Sequence, residues 1–554
     1  FEKEEIVDCI IVLNDQLDLY HKTKGWKKDR KANYVYSRLK SHAYRSQSNI
    51  RQHMDKEQIA YQSFYVFNGI QAYLSRTQAE EILTRFEVEK IVYNVPTPMQ
   101  DIKRGYLDSK LRTDAEWGIL KIKADSVWQM GYQGGGVVVG GQDTGYDFDN
   151  DLILKKYRGY EDDAKVEHNY NWHDAIDTLN ALHMDSIVEP FVNPNPCGFL
   201  SEEPCDDHGH GSHTMGTMVG SDSTNNIGVA PAASWIGCRN MDRGYGKPST
   251  YTECFEWFLA PTDLEGQNPD PTKAPHVINN SWGCPPKEGC TMDNWSFMET
   301  VVNNLTAAGI VVVVSAGNNG GDGCGSIRNP AAIFENSFTV GATRDDDLKP
   351  GFSSIGPVMV DSSGRLKPDV MAPGVAVRSI WLDDTFNTIK GTSMAGPHVA
   401  GAVALLINAR PSLAGQVDVI KDLLQSTAVP LIDSTECEGN TALETPNFYF
   451  GYGRIDVLAA VKKAIETVAV EEIEQAGDIR VYPNPNSGDF SIETSVESEL
   501  GDVYIRNMSG QIVQFYPRKK NRSNLQIQNL PIGLYIYSVT NGSSIQSGKI
   551  VVTR

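Results

Sequence analysis

At 554 residues the chain is too long for a single ordinary core, because domains usually run to about 100–200 residues, and two to four domains are expected. Its composition, 40% hydrophobic and 22% charged, is that of a globular chain, and no run reaches the roughly 18 uninterrupted apolar residues that cross a bilayer, so no transmembrane segment is expected. A formal net charge of −20 favours solubility and disfavours nucleic acid as a partner.

The first region, residues 1–95, opens on an apolar strand over Ile6–Leu13. A basic tract from Lys22 to Lys56 follows, with eleven Lys and Arg against two acids, and reads as a face complementary to the acidic remainder rather than a nucleic-acid patch. The region closes on a strand, helix, strand run: FYVFNGIQAYL, TQAEEILTRF and VEKIVYN. Ser75 stands three residues before Gln78, the spacing at which two side chains cap each other's backbone amides, so a helix starts there. The whole reads as a small α+β module. VPTP at 95–98 then breaks regular structure and begins a connector over 96–111.

The second region, 112–467, alternates helices with short β-branched runs. GVVVGG at 136–141, HVINNSWG at 276–283, GIVVVVSAG at 309–317 and NSFTVGA at 336–342 read as strands buried on both faces. Such alternation predicts an α/β fold with a parallel sheet between helices, and a ligand site beyond the carboxyl ends of the strands. An acidic linker over 468–480 precedes a third region, 481–554, of short alternating strands with Asn, Gly and Ser turns, which reads as a small all-β sandwich.

Eight of the nine cysteines fall between Cys197 and Cys437, and Cys9 stands apart. Close pairs such as Cys197 with Cys205 and Cys284 with Cys290 suggest small disulfide loops in an oxidising compartment, with the connectivity open. The chain opens at Phe1 without a basic-then-apolar segment, so a secretion signal is expected outside it.

Amide hydrolysis needs a nucleophile, a base beside it, a group that fixes the base's tautomer, and donors facing the oxyanion. Asp143 follows a buried run and would emerge at a strand's end, although an Asp there is commonly a turn former. DDHGHGSHTMGTMVG holds His208, His210 and His213. HxHxxH invites a zinc reading, but Ser212 stands where that class carries an Asp, and His213 reads as a packed or hydrogen-bonded imidazole. In GTSMAGPHVAGAVALLINARP, Ser393 begins an Ala- and Gly-rich helix with Pro397 in its first turn. The amino end of such a helix favours developing negative charge, and Ser393 alone is as readily a cap. DFDNDL places Asp147, Asp149 and Asp151 at alternate positions, a spacing that suits a calcium loop and equally a solvated acidic turn.

QDTG, HGSHTMGT and GTSMAGPHVAG together resemble the three signature blocks of the subtilisin-like serine proteases (subtilase family, peptidase S8), in the chain order Asp, His, Ser. The resemblance implies a subtilisin-like catalytic domain with Asp143, His210 and Ser393 as triad, His210 being preferred to His208 because HGSH begins there. SAGNNG resembles the family's oxyanion block, which implies Asn318 as side-chain donor, in preference to Asn319, beside the backbone amide of Ser393. NSWG resembles its substrate-binding strand, so Ser281, Trp282, Gly283, Ser315, Ala316 and Gly317 are implied as pocket walls, with Trp282 and the loop between Cys284 and Cys290 shaping specificity. Thr214, Met215, Tyr146 and Gly396 depart from the family's usual residues without removing a catalytic group. IGVAPAASWIGC and ECFEWFLAP point to the bacillopeptidase F-like branch.

The flanks carry resemblances of their own. YVFNGIQAYLSRTQAEEI and VEKIVYN resemble the inhibitory I9-type propeptide, which makes 96–111 the place for a maturation site. YPNPNSGDF, MSGQIV and LPIGLYIYSV resemble the sorting domain of the Bacteroidetes type IX (Por) secretion system. The implied protein is a secreted or cell-surface serine endopeptidase made as a zymogen, needing no cofactor for catalysis and open to structural calcium. Its partners would be polypeptide substrates, its own propeptide as intramolecular inhibitor, and the type IX machinery. The alternative is a catalytically inactive surface protein that uses this fold to bind peptides or adhere.

Overall fold

Runs of β-branched residues without polar alternation bury a strand on both faces and favour a parallel sheet covered on both sides. The computed structural model describes residues 5–99, 106–108, 112–162, 164–178, 196–283, 291, 295–471, 479–494, 500–508, 510–519, 523–541 and 544–553. In it, seven strands pair in the order Trp172–Asp174, Ser234–Arg239, Val138–Asp143, Val277–Asn280, Val311–Ser315, Phe338–Thr343, Val370–Pro373, every neighbouring pair parallel. The four strands expected from sequence form its centre. The three that were not anticipated are its two edges and Ser234–Arg239, whose WIGC lacks a β-branched run.

Two glycines in succession show how the sheet is covered. A Cβ on Gly140 would lie 2.9 Å from Phe258, and one on Gly141 would lie 3.1 Å from Met215. Helices Pro248–Leu259 and Phe297–Ala307 thus share a core with Ile236, Ile278, Val312 and Val314 on one face, while His210–Val219 and Thr392–Ala409 pack together on the other. Register brings the carboxyl ends together, with Arg239 beside Asp143 and Asn280 beside Gln142.

The amino-terminal region is a four-stranded antiparallel sheet with helices Lys28–Ser46, Ser48–Lys56 and Arg76–Leu83. Its strand Ile6–Leu13 lies between Gly69–Ser75 and Val88–Tyr93. FYVFNGIQAYL, read as one strand, holds the end of Tyr61–Phe64, a turn over Tyr65–Asn68 and most of Gly69–Ser75, with Phe64 opposite Gly69. The Ser75–Gln78 capping box is present, with Ser75 N donating to Gln78 Oε1 at 2.8 Å and Gln78 N to Ser75 Oγ at 3.3 Å.

Phe1–Val461 form one compact unit, so this module and the central sheet belong together. Phe67 stacks on Phe297 at 4.6 Å between ring centres. The basic tract does face the acidic remainder, but mainly through carbonyls. Lys28 Nζ donates to Ala274 O and Lys31 Nζ to Gly415 O, both at 2.7 Å, and Lys24 reaches the Asp418 carboxylate at 3.7 Å. Burial pulls Lys28 down to about 8.

Lys462–Arg554 form the second unit. Helix Val457–Glu471 runs into the stretch read as linker, and residues 472–478 lie outside the described residues. Beyond it, a three-stranded and a four-stranded antiparallel sheet share a core of Phe490, Ile492 and Ile527 from one with Val503, Tyr537 and Ile550 from the other. That is the expected small sandwich. Among the described residues no helix is long and apolar enough to cross a membrane.

Candidate active site

Asp143 is the last residue of its strand, His210 the first of its helix and Ser393 the second of its own. His210 Nδ1 donates to Asp143 Oδ1 at 2.7 Å, with both side chains sealed from solvent. A carboxylate can only accept, so the proton sits on Nδ1 and Nε2 keeps its lone pair. Nε2 has no hydrogen-bond partner among the described residues.

The loop entering the His210 helix is held by Asp206. Its Oδ1 accepts from Thr144 Oγ1, His208 N and Gly209 N at 2.8–3.0 Å, and its Oδ2 from Ser212 N and Oγ at 2.9 and 2.6 Å. One carboxylate therefore caps the helix's first turn and ties it to the residue after Asp143. Thr144 Oγ1 in turn accepts from Gly211 N at 3.0 Å, an approach that only glycine permits, since a Cβ on Gly211 would lie 2.0 Å from Gly145 O. Behind the loop, Arg239 is buried between Asp174 at 3.0 Å and Asp207 at 2.5 Å. Beneath it, Asn240 Nδ2 donates to Gln142 Oε1 at 2.9 Å, and Gln142 to Asn280, locking three strand ends together.

Ser393 Oγ donates to Ser281 O at 3.0 Å, and Ser281 Oγ donates to Ser393 O at 3.0 Å. Pro397 explains the second bond. It lies not in the first turn, as its place in the sequence suggested, but inside the helix Thr392–Ala409. Position 397 thus lacks the N–H that would bond the carbonyl four residues back, and Ser281 supplies the missing donor.

Asn318 Oδ1 accepts from Thr392 N at 2.9 Å and Thr392 Oγ1 at 3.0 Å. Because Thr392 N can only donate, Nδ2 is the free end of the amide. A Cβ built on Gly391 would lie 3.6 Å from that Nδ2 and 3.7 Å from Ser393 N, so the two donors converge on the space Gly391 leaves open. Asn319 N donates to Ser354 Oγ at 3.0 Å.

Ser281, Trp282, Gly283, Ser315 and Gly317 line one pocket with Asn318, Asn329, Thr392, Ser393 and Met99. Ala316 belongs instead to the core, because strand alternation turns it to the other face. The Trp282 ring is likewise buried, stacked on Tyr251 at 3.8 Å, so it anchors the pocket strand. Cys284 and Cys290 lie outside the described residues. Disulfides join Cys197 to Cys205, Cys238 to Cys254 and Cys324 to Cys437. Cys9 is a buried free thiol that burial pushes up to about 12.

His213 Nε2 lies 3.1 Å from both Val377 O and Asn387 O, and burial lowers its pKa to about 3. It is a neutral structural donor. At the alternating acids Asn150 N bonds back to Asp147 O, so the chain turns there, and the Asp149 side chain lies against that of Asp147. Burial, then the charges of Asp149, Asp206 and Asp384, raise Asp147 to about 7, and Asp206 has both oxygens committed. Among the described residues no group of three or more His, Cys, Asp or Glu is arranged to hold a metal, and we derive no step through one.

Asp206, Asn329, Thr392 and the strand Tyr245–Gly246 were not singled out in the sequence. Asp206 stands four residues before the His210 helix, outside the cap position held by Gly209, so spacing gave no signal for it. The others act through backbone or through contacts made only on folding.

Residues 134–453 match the subtilase family, and residues 480–553 match the secretion system C-terminal sorting domain. The chain is 36% identical over 462 residues to bacillopeptidase F of Bacillus subtilis, a match covering 80% of this chain and 29% of that relative. It is 32% identical over 350 residues to subtilisin DY of Bacillus licheniformis, covering 62% of this chain and 98% of the relative. Subtilisin E of Bacillus subtilis is 30% identical over 363 residues, 65% of this chain and 75% of its own. With more than half its length matched and the Asp, His and Ser blocks each at an element end, the chain belongs to the subtilase family.

Proposed function

We propose that the protein is a serine endopeptidase that hydrolyses polypeptides through Ser393, His210 and Asp143. The observation that carries this is the His210–Asp143 pair, which fixes the proton on Nδ1 and leaves Nε2 with its lone pair and no hydrogen-bond partner among the described residues. His210 takes the proton from Ser393 Oγ as that oxygen attacks the peptide carbonyl, and returns it to the leaving amine. Asp143 holds the imidazole and balances its charge. Asn318 Nδ2 and Ser393 N receive the oxyanion, an effect for which loss of the equivalent donor in a subtilisin costs about 10²–10³ in turnover.

Residues 1–95 act as an inhibitory propeptide, 96–111 hold the maturation site, and the carboxy-terminal sandwich directs export through a type IX system to the cell surface or medium. Residues 112–467 carry the chemistry. Ser393→Ala is expected to lower hydrolysis of a casein substrate by about 10⁴-fold or more and to leave the amino-terminal module attached. Wild-type hydrolysis by that variant, purified from a host without other proteases, would overturn the reading.

A further inference from the structure

We propose that Tyr106–Asp108 stay with the mature enzyme as a positioning strand, which steadies a hairpin set between the His210 helix and the start of the Ser393 helix. The inference rests on the serine endopeptidase reading above.

The hairpin is Val377–Trp381 paired antiparallel with Thr385–Ile389. It packs closely on the His210 helix because glycines clear the way. A Cβ on Gly209 would lie 2.6 Å from the Trp381 ring, and one on Gly216 would lie 2.4 Å from Ser379 Oγ and 2.8 Å from Ile380. His213, one turn after the base, places Nε2 3.1 Å from Val377 O and from Asn387 O, so one imidazole spans both strands. The hairpin also reaches the nucleophile's side, where Val377 and Ile389 share an apolar cluster with Met394, the residue after Ser393. It is thus wedged between the elements that carry base and nucleophile, and its position bears on their spacing.

Left to itself such a hairpin holds its place poorly, since two antiparallel strands are marginal without a third. Its turn adds to this. Thr385 N donates to Leu382 O at 3.3 Å across Asp383 and Asp384, whose φ values are 58° and 54°, and neither is the glycine that such a turn favours. Tyr106–Asp108 supply the third strand, with Tyr106 opposite Thr388, Leu107 opposite Asn387 and Asp108 opposite Phe386. Asn387 is therefore the residue at which the added strand and the His213 contact meet.

The residues that follow fasten the same hairpin. Arg112 and Ala115 lie opposite Asn225 and Asn226 in a parallel pair. Glu116 Oε1 accepts from Arg378 Nη1 at 3.1 Å, and the Arg378 guanidinium lies 3.7 Å from the centre of the Phe386 ring. Trp117 Nε1 donates to Ala376 O at 3.1 Å, and its ring packs against the cluster of Val377, Ile389 and Met394. A chain cut before Tyr106 keeps all of these contacts.

The consequence is geometric. A base and a nucleophile must be held to within about 0.5 Å, and a displacement of about 1 Å imposed from a distance can cost about 10²-fold. The strand should therefore act on turnover and spare substrate binding, because the pocket walls Ser281, Gly283 and Gly317 belong to other elements.

The test starts from full-length protein carrying the recognition sequence of an added, sequence-specific protease between Asp108 and Arg112. After maturation, kcat and KM on a short peptide are measured before and after the added protease cuts and the freed strand is dialysed away, so the same folded molecules are compared. Cutting is expected to lower kcat about tenfold or more and to leave KM within about twofold, and a synthetic Arg-Gly-Tyr-Leu-Asp-Ser peptide should restore most of the loss. Glu116→Ala should lower kcat about three- to tenfold, whereas Glu116→Gln, which can still accept from Arg378, should keep it within about twofold. The intact mass of the naturally processed protein should include Tyr106. An active protein that begins after Asp108, a kcat unchanged by cutting, or a loss that the peptide does not restore overturns this inference and leaves the endopeptidase reading standing. Absence of hydrolysis before cutting overturns both.

Discussion

The modules at the two ends of the chain each carry a core of their own, yet they are built on opposite principles. The carboxy-terminal sandwich closes on itself, and Phe490, Ile505, Tyr537 and their neighbours form a core drawn from residues 490–552. The amino-terminal module encloses one core, around Ile11, Leu74 and Ile82, and lends a second set, including Phe64, Val66 and Phe67, to the core of Phe255, Trp257 and Phe297. Its polar groups are committed in the same direction. Asn304 Nδ2 donates to Val66 O at 2.7 Å, and Tyr65 N and Val66 N donate to Glu256 Oε2 at 2.5 and 2.8 Å. A surface that buries lysines and backbone amides against another element is made to be covered, whereas a module whose core is drawn from its own residues folds alone.

The largest effect should come from unequal truncation. Making the chain without residues 1–95 exposes Phe297, Trp257 and the partners of Lys28 and Lys31, and should lower the yield of soluble monomer about tenfold or more. Removing 472–554 should leave yield and hydrolysis within about twofold. Gel filtration and a casein assay check both, and equal losses would break the contrast between the two ends.

A smaller effect concerns pH. Glu256 is fully buried, and burial raises its carboxyl to about 7 against the two backbone amides it accepts, with Lys40 lowering and Glu253 raising it further out. The group ionises near 4.5 once uncovered, so docking takes up a proton between those values. The amino-terminal module is therefore held most tightly below about pH 4.5, and its hold weakens as pH rises to about 7 and is level beyond. Release of the cleaved fragment should be about one to two orders of magnitude faster at pH 8 than at pH 5, and Glu256→Gln should flatten that dependence. An unchanged pH profile in the variant would remove Glu256 from the account.

What was legible in the sequence divides along the same line. Local rules sufficed where one element decided the outcome: the buried runs became central strands, and Ser75 with Gln78 made a cap. The site blocks were legible because Asp143, His210, Asn318 and Ser393 sit in short motifs. Three features were not. Asp206 and Arg239 act through partners as far away as position 144 or 174, Pro397 matters only because Ser281 stands opposite Ser393, and Ala316 leaves the pocket by strand alternation. Nor did alternate spacing predict how Asp147, Asp149 and Asp151 are placed, since alternate positions share a face only in an extended chain, and 147–150 turn.

The most direct test of the central claim is reaction of the processed protein with a fluorophosphonate probe, followed by peptide mapping. A surface protein that merely binds peptides on this fold would stay unlabelled. Our account predicts one labelled residue, Ser393, with labelling lost in Ser393→Ala and reduced about 10³-fold or more in His210→Ala. Absence of label, or label on another serine that persists in Ser393→Ala, would contradict it.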